Sequence, residues 1–152
     1  MVIIKFFHLL SLVTWIGGMI FLVTIGAPSI FKVLPRESAG DVLGDIFPRY
    51  WIMGYLCSIT ALVTIAIMSM GEPVLPWGRI VLLVFMTLLT FFLGLILAAR
   101  TRKIRLKIRS EGNTSQREIL NNSFRKIHMI SVIMNVIILI AGLAVIFLMV
   151  IP

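Results

Sequence analysis

Charged side chains are missing from four long stretches of this chain, residues 6–31, 50–71, 80–99 and 127–152, and polar segments fall between them. A bilayer core about 30 Å thick is crossed by roughly 20 residues of apolar helix. Each stretch therefore predicts a membrane-spanning helix, with bounds near 3–28, 50–71, 79–100 and 127–150. The first stretch is too long for the apolar core of a signal peptide and is expected to persist as a helix. The pattern predicts an all-α fold: a single domain over residues 1–152, built as a four-helix transmembrane bundle.

The connections carry patterns of their own. Between the first two spans, Val42, Leu43, Ile46 and Phe47 recur at helical spacing, and Glu37, Asp41 and Asp45 fall four apart on another face. Pro35 suits a helix start and Pro48 a helix end, which predicts a short amphipathic helix lying in the membrane interface. No proline interrupts Ile80 to Ser110, so the third helix should run past its span. Glu111 to Thr114 reads as a turn, and Ser115 with Glu118 as a capping box opening the fourth helix. The resulting extension of helices 3 and 4 should project about 15 Å into the cytoplasm. Gly71 to Trp77 reads as a short outer turn with Trp77 as an interfacial anchor.

Composition agrees with a membrane protein: 60% of the residues are hydrophobic and the mean hydropathy is +1.10. The net charge of +8 could suggest nucleic acid, but its placement argues otherwise. Residues 100–126 hold nine basic residues against Glu111 and Glu118, a net +7. Basic residues flanking spans mark the cytoplasmic side and meet anionic lipid headgroups there. Lys32, Arg36 and Arg49 lie on the same side, and Lys5, Glu72 and Arg79 on the other. The expectation is an integral protein of the cytoplasmic (inner) membrane with both termini on the non-cytoplasmic side. Its partners would be the bilayer, anionic headgroups along 100–126, and other membrane subunits or further copies of itself. Cys57, the single cysteine, permits no internal disulfide and reads as a packing residue.

Polar side chains within spans are where function is sought in such a protein. On the first helix His8, Ser11, Trp15, Gly18, Met19 and Leu22 share a face, and Gly17 with Gly18 would let another helix approach closely. On the fourth, His128, Ser131, Asn135 and Gly142 form a second stripe. Stripes of this kind face protein, because lipid offers no hydrogen-bond partner.

The runs His8-x6-Trp15-Ile-Gly-Gly18, Ala27-Pro28-x2-Phe31, Ser38-Ala-Gly40 and Phe47-Pro-Arg-Tyr50 resemble the membrane family of domain of unknown function 4149. That family includes proteins similar to transmembrane protein 205. The pattern Phe124-Arg-Lys-Ile-His128-x2-Ser131-x3-Asn135 fits it as well. The resemblance implies a small polytopic membrane fold and leaves the biochemical activity open. The first-helix motif alone is also similar to the CopD copper-resistance family and to HemJ, a haem-linked membrane oxidase. These likenesses imply haem b, and less strongly copper, as ligands of His8, with Trp15, Met19, His128 and Arg79 as further cofactor-binding candidates.

A bundle that runs up and down puts His8 and His128 about 20 Å apart in depth, too far to share one iron. The competing reading of His8 is a hydrogen bond to Ser, Thr or backbone, and of Arg79 a snorkelling charge. Met19 alone among nine methionines shares the His8 face, and the others read as packing residues. No acidic residue lies inside a span, and neither Cys57 nor Ser58 has a histidine at helical spacing, so enzyme chemistry lacks support. The first-ranked function is an accessory or structural subunit of a membrane complex with a haem b site. A stand-alone haem- or copper-binding protein follows, and then a small transporter or resistance factor.

Overall fold

The computed structural model describes residues 1–71 and 75–150. Four helices account for nearly all of it: α1 (Val2–Val33), α2 (Arg36–Ser69), α3 (Trp77–Ser110) and α4 (Thr114–Val150). Each is long and apolar enough to cross a membrane, and no strand occurs among the described residues. The expected four-helix architecture is therefore present. The predicted outer turn includes residues 72–74, which lie outside the described residues.

Prolines set where these helices begin and end, and where they do not. Leu34, which precedes Pro35, is extended at φ −110° and ψ 148°, because a proline disfavours the helical region for the residue before it. α1 stops there, and α2 begins immediately after Pro35. Pro76 likewise stands ahead of the first residue of α3. Pro48 does not end a helix. The segment read as a separate interfacial helix forms the opening turns of α2, which runs unbroken for 34 residues. Pro48 removes one intrahelical bond, to the carbonyl of Gly44, and its ring crowds that carbonyl. The helical bonds on either side carry α2 through this point.

Two stretches are wound as π-helix, Leu22–Gly26 in α1 and Phe92–Leu97 in α3. In each, the closing amide reaches five residues back, Ala27 to Leu22 O and Ala98 to Leu93 O. The first lies just before Pro28, whose missing N–H would otherwise leave a gap in the ladder. The second contains Gly94, the glycine of α3 that packs most tightly on α2.

The helices form a ring in which each packs on its two neighbours. α2 is the most enclosed, and α4 the least. Leu12, Trp15, Ile16 and Met19 from α1 meet Trp51, Cys57, Ala61 and Ile65 from α2, and Leu83, Met86, Ile138 and Val145 close the centre. Cys57 is buried as a free thiol, in accord with a packing role. Lipid is as apolar as leucine, so close packing rather than the hydrophobic effect joins such helices. Glycines make that packing possible. A Cβ at Gly142 would stand 2.7 Å from Ile16 Cδ1, and one at Gly54 3.3 Å from Thr90 Cγ2. The outer surface is covered by exposed apolar residues such as Val13, Leu56, Leu88 and Ile140, as contact with a bilayer requires.

At the end of the bundle remote from the termini, α3 and α4 extend as a helical hairpin closed by residues 111–113. The capping box expected at Ser115 and Glu118 is replaced by a different cap. Asn113 Oδ1 accepts from the backbone N–H groups of Ser115 (3.0 Å) and Gln116 (3.3 Å), so the helix starts two residues earlier, at Thr114. Asparagine caps well because its short side chain reaches these orphan amides.

Candidate functional site

Serine and threonine hydroxyls in the core donate within their own helices. Ser11 donates to His8 O, Ser58 to Tyr55 O, Thr87 to Leu83 O and Thr90 to Met86 O, at 2.7–3.0 Å. This is the usual solution where no water is available.

His8 is the exception. Only 1% exposed, its Nδ1 lies 2.8 Å from Thr64 Oγ1 and joins α1 to α2. Thr64 has one hydroxyl proton and sits 2.7 Å from Thr60 O. With that proton given to the carbonyl, the N–H at Nδ1 of His8 is the donor to Thr64. Thr64 is the partner that the sequence reading left unnamed among Ser, Thr and backbone. Its position in an uncharged run, far along the chain from His8, gave no local signal.

Nearby, Lys5, Leu9, Met68, Arg79 and Met149 surround a cavity of about 200 Å³ at the end carrying the termini. Lys5 and Arg79 are thus brought to one depth, as expected from their places at span ends. Trp15 and Met19 are buried on the same face of α1 as His8. Met19 lies 11 residues from His8, about 16 Å along the axis, and the two do not face one point. His8 lines neither this cavity nor the larger one described below.

The fourth-helix stripe divides. His128 is exposed and stacks on Phe124 one turn earlier, with centroids 6.1 Å apart. Ser131 and Asn135 are half-buried, and Asn135 donates from its amide nitrogen to Ser131 O at 2.8 Å, within its own helix. Gly142 is fully enclosed against Ile16 and Met86. On α1 the paired glycines also part company. Gly18 faces Met53 of α2, where a Cβ would meet Met53 Cε at 2.8 Å, whereas Gly17 is exposed with nothing near it.

Nearer the basic end, α1 and α2 diverge to leave an open groove of about 640 Å³. Its walls are Gly18, Phe21, Leu22, Ile25, Gly26, Ser29 and Ile30 from α1, and Ile46, Arg49, Tyr50 and Met53 from α2. Residues of the π-helical turn of α1 and two glycines, Gly18 and Gly26, lie in its wall. Tyr50 packs edge-on against Trp51 at 5.3 Å, and its hydroxyl is buried with no hydrogen-bond partner among the described residues. The indole N–H of Trp15 is likewise buried and unpaired, against Gly54.

Beyond the groove, α2 and α3 are joined by ionic contacts. Arg105 donates to Gly40 O at 2.5 Å and lies 3.6 Å from Asp41, which also pairs with Arg109. Two of the basic residues expected to meet lipid headgroups are therefore engaged with α2. Asp41 belongs to the acidic face that the spacing of Glu37, Asp41 and Asp45 predicts. The basic partner comes from α3, more than 60 residues away.

No curated protein and no solved structure matches this chain. A family model does match residues 10–110, a stretch that takes in Gly18, Gly40, Tyr50 and Arg105 and leaves out His8 and all of α4. On that match, which covers well over half of the sequence, the chain belongs to the family described as Domain of unknown function (DUF4149).

Proposed function

We propose that this protein is an accessory or structural subunit that associates with other membrane protein along α4, at the half-buried ridge that holds Asn135. Asn135 carries the reading. It lies about 12 Å inside the fourth uncharged stretch, half-buried, and its side chain bonds only to its own helix among the described residues. An amide has two donors and an acceptor carbonyl, and lipid can satisfy none of them. A polar group left at such a surface is accounted for by a neighbouring helix, where interhelical amide bonds contribute about 1 kcal/mol. His128 and Ser131 extend the same ridge towards the basic end. In this reading the basic hairpin lies on the cytoplasmic side, where its remaining arginines and lysines meet anionic headgroups.

The ligand reading of His8 has less support. Its ring is enclosed by packed side chains, and one nitrogen is committed to Thr64. A porphyrin needs an open face at the other nitrogen, and neither described cavity reaches it. His8 acts as a connector between α1 and α2.

A photo-crosslinking residue at Val132, one turn from Asn135, tests the proposal in native membranes. The expected result is a discrete protein adduct, either a second copy or another subunit, that is lost in Asn135→Leu. A protein that yields only lipid adducts and runs as a monomer after gentle extraction would overturn it.

A further inference from the structure

Lys5 and Arg79 stand where helices seldom carry cations. Each lies in the opening turn of its helix, α1 or α3, and neither first turn holds an acidic residue. Aligned peptide dipoles make a helix N-terminus electropositive, so a cation is unfavourable there and an anion favourable. The fold nevertheless brings both side chains to the cavity of about 200 Å³ at this end of the bundle, where Leu9, Met68 and Met149 supply the apolar wall. No acidic side chain lines it among the described residues. Two like charges and two positive helix ends around one space at the membrane edge repel each other, and a bound anion relieves that repulsion.

We propose that this cavity binds one phosphate group, held between Lys5 of α1 and Arg79 of α3. Its depth favours that anion. Lys5 directly precedes the uncharged stretch 6–31 and Arg79 the stretch 80–99, so the cavity lies at the edge of the hydrocarbon core, the level of the lipid phosphate esters. Its volume equals that of about six water molecules at ~30 Å³ each, enough for a phosphate group and too roomy for a single halide. A guanidinium presents five N–H donors in a planar fork and an ammonium three. The interaction that Arg79 already makes therefore does not exhaust it, and the oxygens of one phosphate can bridge the two helices. The group comes from a phospholipid of the adjoining leaflet or from free phosphate, two sources with one recognition chemistry. The proposal does not rest on the assembly read from Asn135, which lies toward the opposite end of α4.

The test is the thermal midpoint of the full-length protein in non-ionic detergent and phosphate-free buffer. It is titrated with inorganic phosphate, with dioleoylphosphatidylglycerol, or with sodium chloride at matched ionic strength. A phosphate probe should raise the midpoint saturably beyond chloride. A shift with inorganic phosphate identifies the free anion as the source. A shift with the lipid alone, with one lipid retained in native mass spectrometry, identifies the bilayer. Lys5→Gln and Arg79→Gln should each weaken this binding about tenfold, and Lys107→Gln, at the basic end, should not. Without ligand, Lys5→Gln should equal or exceed the parent in stability, because a like-charge repulsion has been removed. Lys5 is exposed, so this variant carries the test if Arg79→Gln does not fold. Shifts no larger than those with chloride would overturn the site, as would titrations unchanged by Lys5→Gln. So would a phosphate effect that appears only in Glu72→Gln, which would make the chain's own carboxylate the anion.

Discussion

The guanidinium of Arg105 lies over Gly40 of α2, in the space a side chain at that position would occupy, and donates to the Gly40 carbonyl at 2.5 Å. Gly44, one turn on, borders the same guanidinium, with 3.0 Å between Arg105 Nη1 and the place of its missing Cβ. Two glycines one turn apart thus form a shallow seat, and Asp41 between them supplies the charge. The Ser38-Ala-Gly40 motif acquires a physical reason: Ala39 is fully enclosed and Gly40 must be bare.

Gly40→Ala should displace Arg105 and cost about 1–2 kcal/mol, the scale of a charge-assisted hydrogen bond partly open to solvent. Arg105→Ala should cost a similar amount, and the double variant little more than either. Unfolding of all three in detergent forms a double-mutant cycle. Strict additivity would show that the contact contributes no stability.

The glycines should differ sharply in their tolerance. Gly94→Ala puts a methyl group into the Tyr55 hydroxyl and 3.0 Å from Trp51 Cγ, and Gly142→Ala puts one against Ile16. Each should destabilise by about 1–3 kcal/mol through overpacking. Gly17→Ala meets nothing and should be neutral or stabilising by less than about 1 kcal/mol. Thermal midpoints in one detergent rank them. A large loss at Gly17 in native membranes, absent from the isolated protein, would place a partner helix there.

Thr64→Val leaves the buried His8 without its partner and should cost about 1–2 kcal/mol. His8→Leu on that background should recover part of the loss, since both ends of the bond are then apolar. Absorbance of the protein from its native membrane, before and after dithionite, should show no stoichiometric haem bands. A Soret band that disappears in His8→Ala would make His8 a ligand and Thr64 the group that orients it.

Pro48→Ala should keep α2 continuous and restore the bond to Gly44 O, raising stability by roughly 1 kcal/mol. This is below the ~3 kcal/mol cost of proline in a soluble helix, because the membrane helix has already adjusted around it. A loss of stability would mean that the local geometry around Pro48 is needed to seat Arg105.

The sequence by itself determined the class of this protein. Four uncharged stretches of spanning length leave no other way to satisfy their backbone groups in lipid, and the long third and fourth helices follow from the absence of breakers after Ile80. The proline signals were ambiguous alone: Pro35 and Pro48 look alike in the sequence. Yet one starts a helix and the other lies inside it, because Leu34 is extended while the turns on either side of Pro48 remain helical. Helical spacing assigned the buried faces of α1, where His8, Ser11, Trp15 and Met19 point inward together. It could not tell Gly17 from Gly18, since adjacent residues differ by about 100° around the axis and only the position of α2 decides which is covered. The partners of His8 and Arg105 are 56 and 65 residues away. So is the groove at Tyr50 a product of two helices, with the π-helical turn of α1 in one wall and α2 in the other. Those pairings are set by how the helices pack, and periodicity within one helix carries no information about the register of its neighbour.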